Sequence, residues 1–164
     1  MKSGSTGTVY ITPDGATNLR RELNDLWKNK RPEITRKVAA AAALGDRSDN
    51  ADYTYGKKQL REIDRRIRYL SGRLDNLTVV DRTPDDQHTI YFGAWVKLAD
   101  EDDKESIYRI VGSDEIDLKK GWISIDSPMA RSLLKKRQGD HLVVSRPKGD
   151  AEMMVLDVQY KPMD

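Results

Sequence analysis

The stretch "LGDRSDNADY", Leu44 to Tyr53, sets carboxylates at Asp46, Asp49 and Asp52, every third residue. Like charges this close resist joint ionisation unless a cation sits among them. Two chemistries fit. In one, Asp46 and Asp49 cap helix ends, with Asn50 as an alternative cap. In the other, their oxygens serve a hard cation. A calcium loop starting at Asp46 fails on spacing: Ala51 stands where glycine is needed and Lys57 where the bidentate glutamate is needed. Magnesium is usually held by one or two carboxylates together with waters and a phosphate-bearing partner. Carboxylates on an exposed bend therefore fit a metal shared with another molecule better than a self-contained site.

Downstream, Lys58, Arg61, Arg65 and Arg68 fall on one helical stripe. Glu62 and Asp64 flank it; Arg66 and Arg73 add charge nearby. Lys28, Lys30, Arg31, Arg36 and Lys37 precede the bend. Charge on a helix face is commonly just solvated, but here the signs are unbalanced rather than alternating, as expected of a surface facing a nucleic-acid strand or another acidic partner. Residues 1–80 hold 16 Lys/Arg against 10 Asp/Glu, a balance of +6; residues 81–164 hold 13 against 17, a balance of −4. The first half suits a polyanion, the second a protein partner.

These groups need a scaffold. "ITPDGATNLRREL" opens a helix, with Thr12 as N-cap, Pro13 at the first position and Asp14 at the positive end. Apolar residues follow at Leu19, Leu23, Leu26, Ile34, Val38 and Ala41. Lys30 occupies an expected seam position and Pro32 removes a backbone donor, which predicts a kink or weakened seam there. After the bend, Leu60, Ile63, Ile67, Leu70, Leu74 and Leu77 repeat at 3, 4, 3, 4, 3. Matching seams and a short connection predict an antiparallel coiled-coil hairpin over residues 11–78, with its acidic tip at 45–53 and the Ser/Gly/Thr-rich residues 1–10 as a flexible tail.

From Thr78 the period changes. "TVV", "TIYFGAWVKLA", "SIYRIVG", "WISI", "HLVVS" and "MMVLDVQY" read as strands, "ADEDDKE" as a charged hairpin loop, and "SPMARSLLKK" as a helix capped by Ser127 with lysines in its last turn. The whole is α+β, the helical hairpin preceding a small sheet domain at 79–164. The chain has no cysteine, which excludes disulfides, thiolate metal sites and cysteine nucleophiles. No apolar run approaches the roughly 20 residues of a membrane span, and a cytoplasmic protein is expected. There is no GxGxxG, GxxxxGK[ST] or HExxH, and His88 and His141 stand isolated.

"LGDRSDNADYTYGKKQLREIDRRIRYL", "KRPEITRK" and "ISIDSPMARSLLKK" resemble the Gre family of bacterial transcript cleavage factors over about residues 11–160. The resemblance implies an FKBP-like antiparallel-sheet domain that grips RNA polymerase near its secondary channel. It implies a coiled coil reaching down that channel, and stimulation of the polymerase's own cleavage of a backtracked RNA 3′ end. Such a chain is not itself an enzyme. By the same resemblance Asp46 and Asp49 match the two tip acids and would hold a magnesium shared with the polymerase, the free protein carrying no cofactor. Asp49 stands where relatives usually have glutamate, one methylene longer. Ser48, Asn50, Asp52 and Tyr53 would assist; Lys58, Arg61, Arg65 and Arg68 would hold the extruded RNA. Asp126, Ser127, Pro128, Met129 and Ala130 match the polymerase-docking motif, with Met129 and Leu133 also candidates for packing the helix onto the sheet. The rival reading is a channel-binding inhibitor that does not support cleavage. A monomer is expected.

Overall fold

The computed structural model describes residues 8–45 and 50–163. They form two compact units, Ala16–Leu77 and the remainder.

The helical unit is built from α1 (Pro13–Asp25, which begins in the other unit), a π-helical turn (Leu26–Lys30), α2 (Arg31–Ala42) and α3 (Ala51–Asp75). Pro32 has no N–H to offer the Lys28 carbonyl, and its ring would collide with that carbonyl in an α-helix. The chain answers with the wider turn, closed by the Arg31 N–H onto the Leu26 carbonyl. That turn also corrects the expected seam. Leu26 and Ile34 are eight residues apart, one more than a heptad. The π-turn absorbs the extra residue, so both leucine and isoleucine are buried while Lys30 stays exposed.

Across the hairpin, Arg31 Nε donates to Asp64 Oδ1 at 2.8 Å. The Arg66 fork donates to both Glu22 oxygens at 2.8 and 3.0 Å. Such partly exposed pairs are worth about 0.2–1 kcal/mol each; they fix register more than stability. The seam residues Leu60, Ile63, Ile67 and Leu74 are only half-buried and Leu70 is fully buried. Nearer the bend the contact tightens: a β-carbon on the buried Gly56 would sit 2.8 Å from Val38 Cγ2. Glycine is what allows α2 and α3 to come together there.

The second unit contains β1 (Val9–Ile11) paired with β2 (Leu77–Val79), and a five-stranded sheet in the order β5-β4-β3-β7-β6. Its strands are β3 (Trp95–Ala99), β4 (Glu105–Val111), β5 (Trp122–Ser124), β6 (His141–Arg146) and β7 (Gly149–Gln159); α4 (Pro128–Leu133) follows β5. Val9 and Tyr10, expected in a tail, are strand residues. The sheet, expected antiparallel throughout, is mixed, because β5 lies parallel to β4. The run "TIYFGAWVKLA" yields a strand only from Trp95. Before it, Gly93 turns the chain at φ +88°, and Ile90 exchanges backbone hydrogen bonds with Lys135 and Lys136 instead of a strand partner. Those same bonds end α4 at Leu133: Lys135 adopts φ +69°, so the lysines lie beyond the helix and not in its last turn. Val96, Leu98, Ile110, Leu133 and Val155 are at most 1 % exposed and form the centre of the core.

Thr12 caps α1 as expected, accepting the Gly15 N–H at 3.1 Å. The sequence did not disclose that Glu115 organises this corner. Its carboxylate accepts the Thr12 hydroxyl, the Thr12 N–H at 3.1 Å and the Gly112 N–H at 2.9 Å.

Candidate functional site

The bend between α2 and α3 is held at its ends by one side chain. Asn50 Oδ1 accepts the Tyr53 N–H at 3.1 Å, capping α3, while its Nδ2 donates to the Ala41 carbonyl at 2.7 Å on the last turn of α2. Asparagine can do both because its amide carries an acceptor and a donor side by side. The cap of α3 is therefore Asn50. Its φ of −96° and ψ of 97° are the extended values a cap requires. Gly45 leaves α2 at φ +109°, a left-handed value natural to glycine. Asp46, Ser48 and Asp49 lie outside the described residues. Asp52 is exposed in the first turn of α3, where a carboxylate faces the positive helix end. Tyr53 is half-buried, with Lys57 Nζ 5.9 Å from its ring centre. Among the described residues, no group of three or more His, Asp or Glu can hold a metal.

Lys58, Arg61, Arg65 and Arg68 are all exposed, and among the described residues none makes an ion pair. The basic residues before the bend divide differently. Arg31 is taken by Asp64, Lys37 by Glu33 at 3.2 Å and Lys30 by Asp25 at 3.8 Å. The uncompensated positive surface thus belongs mainly to the outer face of α3.

The motif "DSPMA" sits at the start of α4. Ser127 Oγ accepts the Ala130 N–H at 3.2 Å and donates to the Ser124 carbonyl at 2.7 Å. Asp126 and Pro128 are exposed. Ala130 is fully buried and Met129 packs half-buried against the core. Asp126 and Pro128 are thus the exposed members of the motif, Ser127 and Met129 are half-buried, and Ala130 anchors them in the core.

The segment that follows α4 is tied to the rest of the sheet unit by residues that no motif announced. Asp86 Oδ2 accepts from the Thr89 hydroxyl at 2.6 Å and from Arg137 Nη1 at 2.9 Å, and Oδ1 accepts the His88 N–H at 3.0 Å. The Thr89 and His88 hydrogen bonds, with Arg137 adding to them, hold the Asp86 carboxyl below its ordinary pKa. Tyr160 donates to the Thr89 carbonyl at 2.6 Å and accepts the Tyr91 N–H at 2.9 Å; burial pushes its pKa up. On the sheet, Arg109 stands between Trp95 and Trp122, 3.8 and 5.0 Å from their ring centres, and burial lowers its pKa. Two tryptophans on β3 and β5 at matching register with the arginine of β4 between them give this stack, which strand pairing creates.

Among the described residues, the paired helices carry a cationic row along one face of α3, and the sheet unit anchors a capped helix. The comparisons go further. Residues 9–79 match the family described as "Transcription elongation factor, N-terminal" and residues 85–160 "Transcription elongation factor, GreA/GreB, C-term". The chain is 56 % identical over 154 residues to "Transcription elongation factor GreB" of Xanthomonas axonopodis, covering 93 % of this chain and 92 % of that protein. It is 52 % identical over 158 residues to the protein of the same name in Pseudomonas aeruginosa, covering 96 % and 94 %. Among solved structures, the GreA factor homolog Gfh1 of Thermus thermophilus aligns with TM-score 0.43 and 24 % identity, over 93 % of this chain and 99 % of that one. The chain belongs to the GreA/GreB family of transcription elongation factors.

Proposed function

We propose that the chain, acting as a cytoplasmic monomer, inserts its hairpin into the secondary channel of bacterial RNA polymerase. There it stimulates the polymerase's intrinsic, magnesium-dependent cleavage of a backtracked RNA 3′ end and rescues arrested complexes. The observation that carries this reading is the Asn50 tie. It joins the end of α2 to the start of α3, so the two helices are tied at the bend by Asn50, and Asp52 stands exposed beside that tie. Asp46 and Asp49 supply oxygen ligands to a magnesium ion shared with the polymerase. Bound there, that ion stabilises the charge developing on the phosphodiester. Ser48, Asn50 and Asp52 shape and charge the bend, Tyr53 lies beside it, and Lys58, Arg61, Arg65 and Arg68 attract the extruded strand. Asp126 and Pro128 make the docking contact on the polymerase.

The test uses purified polymerase halted in a backtracked complex with labelled RNA and magnesium. Release of 3′ fragments several nucleotides long is expected. Asp46→Asn abolishes that release and leaves polymerase binding intact. Asp49→Glu preserves or raises it. Intact RNA with slowed extension would establish the channel-binding inhibitor instead.

A further inference from the structure

The outer face of α3 carries an aromatic residue that the fold does not use. Tyr55 is 63 % exposed, and among the described residues it makes no hydrogen bond, ion pair or ring contact. Its neighbours are engaged. Tyr53 has Lys57 over it, and Tyr69 has Arg66 at 5.2 Å and Arg73 at 5.8 Å from its ring centre. Helical spacing puts Tyr55 one turn from Lys58 and about 80° around α3 from Arg65, with Arg61 and Arg68 further round the helix. Glu62 interrupts the cations on this side.

We propose that Tyr55 is a stacking platform for one base of the extruded single-stranded RNA, whose phosphates continue along Lys58, Arg61, Arg65 and Arg68. The proposal rests on the reading above that the RNA 3′ segment lies against α3. Cations alone would suit an acidic protein wall equally well. An open aromatic ring flanking the near end of a cationic row, one turn from Lys58, is the pairing that single-strand binders use, because every base offers a π-face and every nucleotide a phosphate. Tyr55 and Arg68 are 13 residues apart, about 20 Å of helix or about six stacked nucleotides. The ring lies nearest the bend, so a short extruded strand reaches Tyr55 and only a long one reaches Arg68.

The experiment places 2-aminopurine in the extruded segment of a backtracked polymerase complex. Addition of the wild-type chain is expected to quench its fluorescence. Tyr55→Ala loses the quenching and slows cleavage about tenfold or more at every backtracking depth, while Tyr55→Phe restores both. Arg68→Ala slows cleavage only in deeply backtracked complexes. Quenching that survives Tyr55→Ala, or that Tyr55→Phe does not restore, overturns the proposal. So does an equal loss of affinity for polymerase lacking extruded RNA, which would place Tyr55 against protein. Tyrosine-dependent quenching without any cleavage would sustain the stacking and overturn the cleavage reading instead.

Discussion

The two motif-bearing helix starts use the same device on unequal foundations. Asn50 and Ser127 each cap their own helix and each reach back to a carbonyl of the preceding segment. Behind Ser127, however, Ala130 and Leu133 are fully buried in the sheet unit's core. Behind Asn50 there is only a second helix, and α3 buries just Gly56 and Leu70 completely. The start of α4 is welded to a core. The bend is held by a pair of hydrogen bonds and a glycine contact. A two-helix hairpin gives each seam residue one neighbouring helix, so its burial stays partial however regular the heptads.

Breaking that asymmetry should give graded effects. Leu133→Ala empties the core under α4 and is expected to cost about 2–5 kcal/mol, read by chemical denaturation; a loss below 1 kcal/mol would mean α4 is not anchored as described. In the hairpin, Gly56→Leu forces α2 away from α3 at Val38 and should cost about 1–3 kcal/mol, partly recovered by adding Val38→Ala. An unchanged helix melting curve would contradict the close approach. Asn50→Ala removes a cap and a tie, worth about 0.5–2 kcal/mol, and should lower cleavage by loosening the bend; Asn50→Asp keeps the cap but loses the donor to Ala41, so it separates the two roles. Arg61→Ala with Arg65→Ala touches no ion pair among the described residues and should leave stability within about 0.5 kcal/mol, while weakening cleavage most in deeply backtracked complexes and more so at low salt.

Acid sharpens the contrast further. The Asp86 carboxylate has a folded pKa below its ordinary value, so its bracing is present above the unfolded pKa of about 3.9 and lost as pH falls through the lower folded value. Titrating below pH ~4 should therefore loosen the Asp86–Thr89–Arg137 tie that holds the segment after α4. Asp86→Asn should remove that step from the chain's acid-unfolding profile.

How much was readable beforehand follows from the range of the interactions. The α3 seam, the Thr12, Asn50 and Ser127 caps and the cation stripe are written in spacings of three and four, which one helix enforces by itself. Pro32 announced a disturbance, but its resolution as a π-turn that keeps Ile34 in phase depended on the partner helix requiring the seam to continue. The run "TIYFGAW" has strand composition, yet Ile90 spends its hydrogen bonds on Lys135 and Lys136 and so shortens both β3 and α4.

By itself the sequence determined the paired helices, the segment that joins them and the family, and it supplied the candidate site residues as an expectation, because local periodicity and motif text survive without coordinates. Only the tertiary structure decided which charges are spent: Arg31 and Arg66 on cross-hairpin partners, Glu115 on three donors at the β1–α1 corner, and Lys58, Arg61, Arg65 and Arg68 on none among the described residues. Whether a charge is paired depends on what another segment brings within about 4 Å of it, and that distance is set by the fold.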